Sequence, residues 1–178
     1  MAQRVYAYGI VVLPPPHVRR EIAALRRRHP VLHASVPPHI TVKAPFVLRS
    51  TGAWALERLE EICAAHEPFE LELDGLDSFG TEVLYVRVAE SEPLRRLHQD
   101  LVDGLAGYVE TLRDRYEGKA YTPHLTVADH LTPEEFALAR RELAGWHPRA
   151  RFEVDAVHLL RGWNRWDVTR SIPLSCEL

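Results

Sequence analysis

The five residues Pro38-His-Ile-Thr-Val42 recur about half a chain later as Pro123-His-Leu-Thr-Val127, with leucine for isoleucine the one difference. Self-similarity at that separation implies two related structural halves. In a strand, residues i and i+2 share a face. His39 and Thr41 therefore point one way while Ile40 and Val42 point into a core. The same holds for His124 and Thr126 against Leu125 and Val127. Proline fits at the start of such a strand, where no ladder donor is needed. Packing accounts for the aliphatics, but it does not require the same polar pair twice.

Strand and helix patterns alternate around these two segments. Val5–Leu13 is rich in β-branched and aromatic residues and stops at Pro14-Pro15-Pro16, so it reads as a strand. Val18, Ile22 and Leu25 recur at helical spacing and predict a helix over Pro16–Arg28. Its end, Arg26-Arg27-Arg28, reads as a solvated cationic terminus that suits the helix dipole. Leu56, Leu59, Ile62 and Cys63 mark a second helix. Phe69–Asp74 alternates with period two and pairs with Leu84–Ala89 across the turn chemistry of Asp77-Ser-Phe-Gly80. Leu94, Leu97, Leu101 and Leu105 give a third helix with Pro93 at its start. Thr132-Pro-Glu-Glu135 is a capping box that opens a fourth. The short segments His39–Val42 and His124–Val127 are strands, and Phe152–Arg161 and Trp166–Leu174 are the last two. No linker divides the series, so residues 1–178 read as one domain. The mixture predicts an α+β fold with largely antiparallel sheets flanked by helices.

Composition sets the broad class. Of 178 residues, 46% are apolar and 26% charged, as in an ordinary globule. A formal charge of −3 argues against a protein that coats duplex DNA, because such binding rests on many lysine and arginine contacts to phosphate. A small nucleotide or an RNA end in a locally basic cleft is compatible with it. Cys63 and Cys176 are the two cysteines, too few for a disulfide framework, and they fit a reducing cytoplasm. The apolar start runs into prolines and reads as a strand rather than a signal peptide. No run is long enough to span a bilayer.

Two strands facing each other across a cleft would supply two imidazoles and two hydroxyls. Histidine titrates near neutrality, so one ring can be neutral while the other is protonated. A neutral ring takes a proton from an attacking water, and a protonated ring gives one to a leaving ribose oxygen. Threonine hydroxyls would hold the non-bridging phosphate oxygens. This chemistry needs neither metal nor other cofactor. His33/His39 and His124/His130 are each six apart, which is not the i, i+4 spacing of a zinc helix. A G-x-S-x-G elbow, a P-loop and a dinucleotide fingerprint are missing too.

The paired motifs resemble those of the 2H phosphoesterase superfamily, which includes bacterial 2′-5′ RNA ligase-like proteins and 2′,3′-cyclic phosphodiesterases. The similarity runs through the hairpin Phe69–Gly80 with Val83–Val88, the helix of Leu94, Leu97 and Leu101, the second motif Tyr121–Val127 and the late strand Phe152–Leu160. It implies a bilobal fold with pseudo-twofold halves, a catalytic cleft between the lobes, and catalytic roles for His39, Thr41, His124 and Thr126. Lys43-Ala-Pro-Phe46 after the first motif is closer to a second branch of the family than to the ligase-like one. The substrate implied is a cyclic phosphate on a nucleotide or RNA end. Five further residues are candidates for holding it. Lys43 continues the alternation 39, 41, 43 and would attract phosphate. Phe46, Tyr121 and Trp163 could stack on a base, as could Trp166. A cytoplasmic monomer is expected. A nucleotide-binding module without turnover, and a phosphodiesterase of a non-RNA metabolite, are the competing expectations.

Overall fold

The computed structural model describes residues 6–49, 52–162 and 165–175. The element order is β1 (Ala7–Val12), α1 (Pro16–Arg28), β2 (Ile40–Leu48), α2 (Gly52–Ala64), β3 (Phe69–Phe79), β4 (Val83–Val88), α3 (Glu92–Leu105), β5 (Val109–Thr111), β6 (His124–Ala128), α4 (Pro133–Glu142), β7 (Arg149–Val154), β8 (Ala156–Gly162) and β9 (Trp166–Pro173). The strands form one sheet in the order β7-β3-β4-β6-β2-β1-β8-β9, with β5 added beside the outer part of β2. Every pairing is antiparallel. The order reads as two four-strand halves that meet at β6 and β2, the two motif strands. The fold is α+β, as the sequence pattern predicts.

Local sequence explains the helices. At α4 the Thr132 hydroxyl accepts from the Glu135 amide at 3.2 Å, and the Glu135 carboxylate accepts from the Thr132 amide at 2.8 Å. At α3 the Ser91 hydroxyl accepts from the Leu94 amide, and Pro93 occupies the first turn. Leu94, Leu97, Leu101 and Leu105 form the buried stripe of α3, which packs on β2 and α2. Each such leucine contributes about 1.5–3 kcal/mol by leaving water. Helix α1 packs on β6 and is tied to α4 by His29 to Glu142 at 2.7 Å. Helices α1 and α3 thus sit behind β6 and β2, the two motif strands. No helix among the described residues is long and apolar enough to cross a membrane.

Three elements depart from the sequence reading. Phe152–Arg161 is two strands, not one. Strand β7 pairs with β3 at one edge of the sheet, and β8 pairs with β1 in the other half. The chain crosses over at Asp155, whose carbonyl accepts from the Leu174 amide at 2.7 Å. A phase slip marks the break, since Val154 and Val157 are both buried although a single strand would turn them to opposite faces. Strand β2 continues past Val42 to Leu48, and the unforeseen β5 pairs with that extension from Phe46 to Leu48. Finally, Phe79 closes β3 instead of sitting in the turn that follows.

Candidate active site

The two motifs are joined by one backbone pair, Ile40 opposite Leu125. Both side chains are fully buried, so the residues flanking each of them face the other side of the sheet. The same antiparallel register carries His39 opposite Thr126 and Thr41 opposite His124. All four therefore lie on one face as the corners of a rectangle, and each is half-buried. The histidines occupy one diagonal, where Cβ atoms in a sheet stand roughly 7–8 Å apart. That leaves space for one tetrahedral phosphate between two imidazoles, with a threonine at either side.

The rings are held alike. His39 donates Nδ1–H to the Pro37 carbonyl at 2.7 Å, and His124 donates Nδ1–H to the Thr122 carbonyl at 2.8 Å. Each acceptor lies two residues upstream, which is a local consequence of repeating the motif with its proline. Since Nδ1 is engaged, Nε2 is the nitrogen left for chemistry on both rings. Burial pushes both imidazoles below the ordinary histidine range. For His39, positive charge on His124 and Arg26 pushes further in that direction, against the pull of its Pro37 bond and of Asp129.

Side chains from distant elements fix the motif backbones. Tyr121 Oη donates to the Thr41 carbonyl at 2.8 Å, and His98 Nδ1 donates to the Val42 carbonyl at 2.6 Å. His98 Nε2 accepts from the Gly118 amide at 2.9 Å, and its ring lies flat on Tyr121 at 3.8 Å. In the second motif a single guanidinium does this work. Arg26 donates to the carbonyls of Thr126 at 2.8 Å, Val127 at 3.0 Å and Val36 at 3.2 Å. Arg26 is thus no solvated helix end. It binds the second motif to the segment that leads into the first. His98 and Arg26 escaped the sequence reading because their partners are 56 and about 100 residues away in the chain.

The five candidates for substrate contact have different surroundings. Lys43 leaves the His39/Thr41 face because the β1–β2 register slips there. Thr41 stands opposite Val11, but Lys43 stands opposite Ile10, a bulge that breaks the period of two. Its side chain is 1% exposed, with Nζ at 2.6 Å from Glu117 Oε1 and 2.7 Å from Thr111 Oγ1. The ammonium is spent on these two internal partners. Phe46 is buried in the core beside Tyr8, 6.0 Å between ring centres, and has no face for a base. Tyr121 is likewise buried, and its ring and hydroxyl are used by His98 and Thr41. Trp163 lies outside the described residues, and Trp166 packs over Gly162.

An aromatic pair lies beside the second motif histidine. Phe79 sits edge-on to the His124 ring at 4.9 Å and against Tyr85 at 4.4 Å, and Tyr85 lies 5.2 Å from His124. Tyr85 is buried opposite Thr126, whereas Phe79 is 38% exposed. No group of three or more His, Cys, Asp and Glu side chains that could hold a metal ion is gathered among the described residues.

Known proteins share this arrangement at the level of family and fold. The model of the 2′-5′ RNA ligase superfamily matches residues 14–165. "Putative phosphoesterase GK0864" of Geobacillus kaustophilus is 30% identical over 157 residues, covering 86% of each chain. A Bacillus cereus protein of the same description is 31% identical over 85% of this chain and 86% of its own. Among solved structures, E. coli LigT without ligand superposes with a TM-score of 0.66 at 16% identity, over 97% of this chain and 99% of LigT. The protein TT0787 of Thermus thermophilus gives 0.65 at 19% identity, over 97% and 100%. Motif match, relatives and fold agree that this chain belongs to the 2′-5′ RNA ligase superfamily of 2H phosphoesterases.

Proposed function

We propose that this chain is a metal-independent phosphodiesterase that opens a 2′,3′-cyclic phosphate, or a related cyclic phosphoester, on a nucleotide or RNA end. The observation that carries this reading is the rectangle of His39, Thr126, His124 and Thr41 with both Nδ1 atoms tied back. Two Nε2 atoms then flank one phosphate-sized space, and two hydroxyls reach its non-bridging oxygens. One neutral and one protonated ring complete an in-line displacement without a Lewis acid. LigT has been crystallised with 3′-AMP, with ATP and with phosphate, which supports a nucleotide-sized ligand for the shared fold. Residues 1–178 act as one domain in this reading, since the site needs a strand from each half. If a 5′-hydroxyl takes the place of water, its oxygen bonds to the phosphorus of the cyclic phosphate as the bond to the ribose 3′-oxygen breaks, and the product is a 2′-5′ linkage.

The test is hydrolysis of the four 2′,3′-cyclic nucleotides by the wild type and by His39→Ala and His124→Ala, with and without EDTA. Turnover that survives EDTA and is lost in either variant supports the proposal. Nucleotide affinity without turnover would make the cleft a binding module, and turnover restored by added metal would overturn the two-histidine mechanism.

A further inference from the structure

Both motif strands carry a β-bulge at the same place. Thr41 stands opposite Val11 and Lys43 opposite Ile10, so Val42 is the inserted residue of β2. Thr126 stands opposite Tyr85 and Ala128 opposite Leu84, so Val127 is the inserted residue of β6. Each is the valine that follows a motif threonine. A bulge leaves its extra residue without a ladder partner and bends the strand. Burial records the bend. Strict alternation would turn Lys43 and Ala128 to the cleft with the threonines, yet both are buried beside buried Val42 and Val127. Each strand therefore turns away from the cleft directly behind its threonine.

The same two carbonyls are held in each motif, by different means. In the second motif Arg26 donates Nη2–H to the Thr126 carbonyl and Nε–H to the Val127 carbonyl. In the first motif Tyr121 Oη donates to the Thr41 carbonyl and His98 Nδ1 to the Val42 carbonyl. Arg26 belongs to α1, which follows β1, and His98 to α3, which follows β4. Each clamp thus crosses from one half of the sheet to the motif strand of the other.

On the phosphodiesterase reading above, we propose that Arg26 and His98 are equivalent positioning residues, one for each motif, and that each holds the bulge behind a threonine and so sets where that hydroxyl meets phosphate. Peptide units are planar, so fixing the threonine and valine carbonyls fixes both peptide planes of the inserted residue. The threonine Cα lies at the edge of the first plane, and its side chain cannot tilt independently of it. Arg26 meets this need with a rigid fork of donors. His98 meets it with a neutral ring, because Nε2 accepts from the Gly118 amide and the proton therefore sits on Nδ1. Burial keeps that ring neutral, helped by Lys43 and Arg95 and opposed by its own bond to Val42 and by Glu117.

The experiment is a pair of crossed double-mutant cycles, read as kcat for 2′,3′-cyclic AMP. His98→Leu removes both ring hydrogen bonds. Arg26→Lys keeps the charge near His39 and loses the fork. Each should lower kcat several-fold, about as much as removing the hydroxyl it places. The penalty of His98→Leu should vanish in a Thr41→Val background and persist with Thr126→Val, and Arg26→Lys should show the reverse. Tyr121→Phe removes only the donor to the Thr41 carbonyl. It stands in if His98→Leu does not fold, with the same coupling to Thr41 expected. His98→Gln keeps one donor and one acceptor and should recover most of the rate. Equal penalties in the two threonine backgrounds, a glutamine no better than leucine, or lost stability in urea with unchanged kcat would each overturn the proposal. A wild type without turnover on any cyclic nucleotide would instead defeat the phosphodiesterase reading, and the positioning roles with it.

Discussion

Ile40 stands opposite Leu125 at the one backbone pair that joins the two halves of the sheet among the described residues, and both are fully buried. The core side of this pair sets the spacing of four polar residues on the other side. Leu125→Ala should cost about 2–5 kcal/mol of stability through the cavity it leaves. It should also lower kcat by up to about 100-fold, because small displacements at a reacting centre are expensive. Urea unfolding and steady-state kinetics on the same sample check both. A stability loss with unchanged kcat would show that the spacing is held elsewhere.

The polar residues should divide into strong and mild effects. His39→Ala and His124→Ala should each lower kcat by about 10²–10⁴. The double variant should fall far short of the product of the two, because the rings act as a unit. Thr41→Val and Thr126→Val remove one hydrogen bond each while keeping the strand's shape. Their cost should be on the order of 1 kcal/mol, or several-fold in rate. A threonine variant as damaged as a histidine variant would contradict this ranking.

Acidity should affect both activity and stability. Burial is the leading cause that holds His39, His98, His124 and His158 below the ordinary imidazole range. One ring must be protonated for catalysis, so the bell of kcat/KM should peak on the acid side of neutrality. The same shifts mean that the unfolded chain binds protons more readily than the native state. Their contribution to stability is complete above about pH 6.5, the unfolded value, and is lost as pH falls through the lower native values. Urea midpoints at pH 7.5 and pH 5.5 give the test, with the lower midpoint expected at pH 5.5.

Lys43 and Glu117 should behave as a structural pair. Removing the ammonium alone leaves a carboxylate that is 8% exposed without its partner. Lys43→Met should therefore cost about 3–5 kcal/mol, and Lys43→Met with Glu117→Gln should recover much of it. A double-mutant cycle in urea measures the coupling. A large KM effect in a Lys43→Met protein of normal stability would return the lysine to the substrate.

Much of this molecule is legible in its sequence, and the reasons are local. The duplicated strand pattern, the capping box at Thr132 and the leucine stripe of α3 each depend on neighbours within a few residues. The candidate site was legible for the same reason, because i and i+2 share a face. What was hidden depends on partners far along the chain. A bulge opposite Ile10 moves Lys43 into the core, and nothing near Lys43 announces it. Arg26 looks like any helix-end arginine until Val36 and Thr126 are brought to it. Phe79 read as a turn residue because Gly80 follows it. Only the crossover at Asp155 left a trace, the slip of phase between Val154 and Val157.

That crossover also orders events in time. The half-sheet around the second motif takes all its strands from the continuous stretch 69–154. The half around the first motif must wait for β8 and β9, since β1 has one neighbour in β2 and its other in β8. During synthesis from the N-terminus, the segment that is made first is thus the one whose sheet closes last. His39 leaves the ribosome well before His124, yet it reaches its finished setting only when the last strands arrive.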